Sequence, residues 1–178
     1  VTEDELADGA VCFKLNGDQS AINFYQTLGQ DLYPVPFATS KRVYASGTFN
    51  CDGVTPVGEA TYSNESGDVT ILDHSYQDGV CQECGHVDMG YCSQEDGFYL
   101  VGNGSQLNWI THVVTNLNQD VNVRLTDDID YTAYQDVIAY DTWYTGTFDG
   151  QGHTITIDLT GDRDYMGLFF RLGGAAVI

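Results

Sequence analysis

Basic residues are scarce in this chain: 6 Lys and Arg stand against 26 Asp and Glu, for a formal net charge of −20. With no basic cluster to neutralise phosphates, a nucleic-acid partner is excluded as an expectation. Proline is also rare, at 3 residues, and no apolar run is long enough to span a bilayer. No phosphate-cradling glycine loop, nucleophile elbow or His-Glu metalloprotease helix can be found. What is abundant is Tyr, at 12 residues, and Gly, at 20, beside Thr, Val and Ile. That composition suits half-buried strands joined by turns, so a mainly β chain is expected. The acid excess itself first implies solubility.

Three textures divide the 178 residues. Segment 1–46 is an N-terminal β-rich module that opens with a short helix, Thr2 and Glu5 lying at capping-box spacing. Val11-Cys-Phe-Lys-Leu15 then alternates like a strand. Segment 47–92 is a turn-rich Cys/His module with strands expected over 58–62 and 69–72. Segment 93–178 carries a strand at 98–101 and a helix in which Leu107, Ile110, Val113, Val114 and Leu117 recur at helical spacing. A strand follows with Val121, Val123 and Leu125 on one face. The run Gly146-Thr-Phe-Asp-Gly-Gln-Gly-His153 then supplies a sharp turn, and Ile155, Ile157 and Leu159 alternate after it. The end, 168–178, is apolar and stops where a strand is starting, which leaves an open sheet edge and implies a truncated chain.

Five cysteines, Cys12, Cys51, Cys81, Cys84 and Cys92, cannot all pair within the chain. Cys81-Gln-Glu-Cys84 is a two-residue-spaced knuckle that can turn both thiolates toward one tetrahedral ion, with His74 and Cys51 completing four ligands and His86 in reserve. Four protein ligands leave no open position, so such a zinc is structural. The competing expectation is disulfides, Cys12 with Cys92 and Cys51 with Cys81 or Cys84. Asp127, Asp128 and Asp130 form the densest carboxylate cluster. They are candidate Ca²⁺ ligands, against the plainer reading of turn-capping acids. Asp149 and His153 belong to the turn. Tyr131, Tyr134, Tyr140, Trp143 and Tyr144 could stack on sugars, although core packing is the commoner use of such residues. Trp109 is expected to pack beneath the first strands.

The series 96–109, 123–130, 146–155 and 165–169 resembles modular secreted or surface proteins of anaerobic bacteria that contain a right-handed parallel β-helix of the pectin-lyase-like kind. Leu15-Asn-Gly-Asp-Gln19, Tyr25-Gln-Thr-Leu-Gly29 and Tyr33-Pro-Val35 are similar to a module that precedes such helices. The 74–85 stretch is similar to small Cys/His modules repeated in bacterial surface proteins. The resemblance implies a capping α-helix followed by the first rungs of a β-helix, in a non-catalytic adhesin-type structural or binding protein. Its partner would be a host, matrix or neighbouring-cell glycan or protein. Two alternatives stand beside it: the N-terminal part of a polysaccharide lyase or glycoside hydrolase, and a fibre subunit that self-associates edge to edge.

Overall fold

The computed structural model describes residues 2–158 and 167–178, so Leu159, Tyr165 and Met166 of the expected strand and rung lie outside the described residues. The chain is mainly β and divides into two compact units, Val1–Ser75 and Tyr76–Ile178.

In the first unit, α1 (Glu3–Ala7) starts from the expected capping box, Thr2 and Glu5 each accepting from the other's backbone N–H. The expected strand over 11–15 is instead α2 (Ala10–Leu15). Consecutive Cys12 and Phe13 are both buried, which a helix face permits and one face of a strand does not. Asn16 ends the helix. Its amide donates to the carbonyls of Cys12 (3.1 Å) and Phe24 (2.8 Å), while its oxygen accepts from the N–H groups of Asn23 and Phe24. β1 (Tyr44–Phe49) runs across residue 47, the expected start of the second segment. Its first half pairs antiparallel with β2 (Thr61–Ser63) and its second half parallel with β3 (Val69–Ile71). The switch falls at Gly47, whose φ of 139° suits glycine. The core of this unit is Cys12, Phe13, Val43, Ala45 and Phe49.

The second unit begins with a hairpin, β4 (Tyr76–Gln77) and β5 (Val80–Cys81), turned by Asp78 and Gly79, both at positive φ. A second hairpin, β6 (Gln94–Glu95) and β7 (Phe98–Val101), turns in the same way at Asp96 and Gly97. The expected helix follows as α3 (Gly104–Asn116). The Asn103 side chain caps Gln106 N–H, and Leu107, Trp109, Ile110, Val113 and Val114 are buried.

Beyond α3 the ladders are parallel. β8 (Asn122–Leu125) lies between β7 and β10 (Phe148–Asp149), which places buried Tyr99, Val123 and Phe148 in one column. β9 (Ile129–Asp130) pairs with β11 (Ile155–Thr156). Single parallel bridges join Ile138 to Phe169, Tyr144 to Leu172 and Thr147 to Val177, so a later stretch of chain repeatedly lies beside an earlier one in the same order. Val121, Val123 and Leu125 share a buried face as expected, whereas Ile157 is exposed and β11 is only two residues long.

Side chains tie successive layers. Asn122 Oδ1 accepts from Thr147 N–H, Asp128 Oδ1 from Thr154 N–H, and the Arg124 guanidinium bonds Asp149 at 3.2 Å while lying 4.3 Å over the Phe98 ring. Gly146 allows two of these layers to approach, because a Cβ there would stand 2.0 Å from the Val121 carbonyl oxygen. Gly146→Ala is therefore expected to lower stability by about 1–3 kcal/mol through overpacking alone. Urea unfolding of the variant checks this, and an unchanged midpoint would contradict the close approach.

Candidate metal centre

Cys51 follows β1 in a tight turn. Asn50 N–H donates to the Thr55 carbonyl, and the Asp52 carboxylate accepts from the N–H groups of Val54 (2.9 Å) and Thr55 (2.8 Å), fixing the backbone around the thiol. Cys81 ends β5 and opens the knuckle. Gly85 N–H donates to the Cys81 carbonyl (2.9 Å), Cys81 N–H to the His86 carbonyl (2.8 Å) and Asp88 N–H to the Gly79 carbonyl (2.8 Å), with Gly85 at φ 73°. These bonds shape the backbone between the two thiols.

The ligand atoms of Cys51, His74, Cys81 and Cys84 lie within 4.8 Å of one another, close enough to hold a metal ion. With Zn–S bonds of about 2.3 Å, a tetrahedral site separates its sulfurs by about 3.8 Å, so the cluster fits such an ion with small adjustment. Three thiols and one imidazole are a soft, closed donor set, compatible with structural zinc. It is the one such group of three or more His, Cys, Asp or Glu among the described residues. His86, the reserve ligand, is outside the group, and its Nδ1 shares a 2.9 Å hydrogen bond with the Tyr76 hydroxyl.

No disulfide joins any of the five cysteines. The alternative bridge between Cys12 and Cys92 is not formed, each sulfur being buried in the apolar core of its own unit. Nor is Cys51 bridged to Cys81 or Cys84.

The acids expected as calcium ligands do not converge. Asp127 accepts from Asp128 N–H, Asp128 from Thr154 N–H, and Asp130 from the N–H and hydroxyl of Thr132. The Thr132 bonds hold the Asp130 carboxyl below the usual carboxylate range. Asp127 and Asp130 bond locally within turns, and Asp128 ties two layers. Asp149 and His153 also serve their turn. The amide of Gln151 and the Arg124 guanidinium lower the Asp149 pKa, and His153 N–H donates to the Gly150 carbonyl.

The aromatic residues separate into two groups. Tyr131 and Tyr144 are fully buried, their hydroxyls donating to Asn108 Oδ1 and the Val121 carbonyl respectively, and Tyr134 stacks on Tyr131 at 5.0 Å. Tyr140 and Trp143 are exposed, with the Arg171 guanidinium 5.8 Å over the Trp143 ring. No helix among the described residues is long and apolar enough to cross a membrane. No protein-family model, curated protein or solved structure matches the chain.

Proposed function

We propose that the chain is a zinc-stabilised, non-catalytic scaffold of a secreted or cell-surface protein, its second unit being the capped start of a right-handed parallel β-helix. In this reading α3 covers the first layer and the parallel layers present a binding surface to a glycan or protein of a host, matrix or neighbouring cell. The observation that carries it is the closed Cys51, His74, Cys81 and Cys84 set, which offers four protein donors and so favours a structural ion over a reactive one. The repeated parallel pairings support the coil. Asp127 and Asp130 spent on local turns, and Asp128 on a tie between layers, support a non-catalytic role.

Native mass spectrometry of the chain purified without added metal tests the reading. The expected result is one zinc per chain, lost with chelator together with folded structure. A folded chain of metal-free mass would overturn the zinc scaffold, and release of new ends from an acidic polysaccharide would overturn its non-catalytic assignment.

A further inference from the structure

The second unit has a half-open cleft of about 390 Å³ between the C-terminal half of α3 and the 136–140 stretch, within the range of small-ligand sites. The helix gives it Thr115 and Asn116, and the facing stretch gives it Asp136, Val137 and Tyr140. Asn116, Asp136 and Tyr140 are exposed and Thr115 is half-buried, so each can be reached from solvent. Among the described residues, no hydrogen bond within the chain occupies the Thr115, Asn116 or Asp136 side chain. The Asp136 backbone is fixed instead, its carbonyl accepting from the hydroxyl of buried Tyr131 at 3.1 Å.

Tyr140 stands outside the core for a backbone reason. Ile138 and Ala139 are fully buried, and the chain turns at Ala139 (φ 65°) and again at Asp141 (φ 58°), left-handed conformations costly for residues other than glycine. The two turns bring the Tyr140 ring out to 50% exposure, where it meets the Phe170 ring at 5.2 Å. The Arg171 guanidinium lies 4.9 Å over Phe170 and 5.8 Å over Trp143, which is 54% exposed. The cleft therefore continues into an aromatic surface with two open rings, Tyr140 and Trp143. Strained backbone that exposes an aromatic ring points to a ligand for that ring.

An occupant has to offer flat C–H surface to the rings, hydrogen-bond donors to the Asp136 carboxylate and acceptors to the Asn116 amide. Hydroxyl-bearing sugar rings do all three. Val137 is the one aliphatic residue among the described residues of the lining, so an apolar peptide side chain finds little there. Asp136 and Asp141, in a chain of net charge −20, disfavour an acidic ligand. Two open rings beside one cleft suit more than one sugar unit.

We propose that this cleft binds a neutral oligosaccharide, Asp136 and Asn116 reading its hydroxyls while Tyr140 and Trp143 stack on its rings. The proposal rests on the reading of the second unit as a surface presented to a glycan or protein, and narrows it to a glycan at one place. The test is titration of the ¹⁵N-labelled full chain, with zinc present, using β-1,4-linked tetrasaccharides of glucose, xylose, mannose and N-acetylglucosamine. At least one is expected to shift the amide signals of Thr115, Asn116, Asp136 and Tyr140 and the Trp143 indole signal, with a dissociation constant on the order of 1 mM. Trp143→Ala should weaken binding about 10-fold by removing a stacking ring. Asp136→Ala should weaken it about 10-fold or more by removing a charged acceptor. Both positions are exposed, and signal dispersion in the same spectra reports whether each variant is folded. The proposal is overturned by no shifts from any of the four at tens of millimolar, by shifts centred elsewhere, by unchanged binding in both folded variants, or by tighter binding of tetragalacturonate. Shifts at these signals from a tryptic digest of casein and from none of the sugars would overturn it in favour of a peptide. Zinc retained in native mass spectra with no sugar bound would sink this proposal alone and leave the scaffold reading standing.

Discussion

Cys84→Ser is expected to lower zinc affinity by more than about 100-fold, because losing even an outer-shell partner of a metal ligand costs 10–100-fold and this change removes a ligand. Cys84 is the most exposed of the four donors, so the substitution deletes a bond to the ion without opening a hole in a core. Metal affinity in a closed site is also folding free energy, and a 100-fold loss corresponds to about 2.7 kcal/mol. Competition with a chromophoric chelator reads the affinity, and urea unfolding with and without zinc reads the stability. Iodoacetamide labelling at about pH 8 adds an independent readout, since the thiolate is the reactive form. Burial pushes the Cys12 thiol up to about 11 and the Cys92 thiol up to about 12, so both should stay unlabelled in the folded chain. Chelation should expose Cys51, Cys81 and Cys84 to label. Zinc affinity unchanged in Cys84→Ser, or equal labelling of all five thiols before and after chelation, would remove the metal centre.

The Cys/His cluster is legible in the sequence because it is carried by rare residue types, two of them at a local spacing. Cys81 and Cys84 form a pair on one turn, and His74 and Cys51 lie in the same segment, which also holds His86 and Cys92 and has little core of its own. Helix α3 was legible for a similar reason: thirteen residues are long enough for apolar side chains to repeat on one face. The 11–15 segment was not, because five residues with alternating apolar positions fit a helix or a strand. The choice fell to tertiary burial of adjacent Cys12 and Phe13. The hairpins at Asp78-Gly79 and Asp96-Gly97 carry a local signal, an Asp-Gly pair in which both residues take positive φ. The half-open pocket beside β1 lined by Gln19, Arg42, Ala45 and Val69 has no signature in sequence, since it depends on residues distant along the chain. The same holds for Gly146, whose need for glycine comes from the Val121 carbonyl rather than from its own φ.

Trp109→Ala should cost about 3–5 kcal/mol, the usual loss when a large buried aromatic is truncated. Trp109 is fully buried on α3, its ring edge-on to Tyr99 of β7 at 5.1 Å, and its Nε1 donates to the Asp88 carbonyl at 3.0 Å. It therefore joins three parts of the second unit: the helix, the first of the parallel strands, and the loop whose Asp88 N–H closes onto Gly79. Gly79 is shaped to admit it, since a Cβ there would fall 2.6 Å from the Trp109 ring. Trp109→Phe separates the contributions. It keeps an aromatic ring against Tyr99 but removes one of the two bonds to the Asp88 carbonyl, which still accepts from Tyr91 N–H, a loss of about 0.5–1.5 kcal/mol. Because Asp88 anchors the base of the hairpin that holds Cys81 and Cys84, both variants should also release zinc to chelator faster than the parent, with alanine the more severe. Urea unfolding at saturating zinc measures the first effect and chelator kinetics the second. If Trp109→Ala cost less than about 1 kcal/mol, the helix would not be packed on β7 as described. If it destabilised the chain without changing zinc release, the hairpin would draw its geometry from its own turn hydrogen bonds alone.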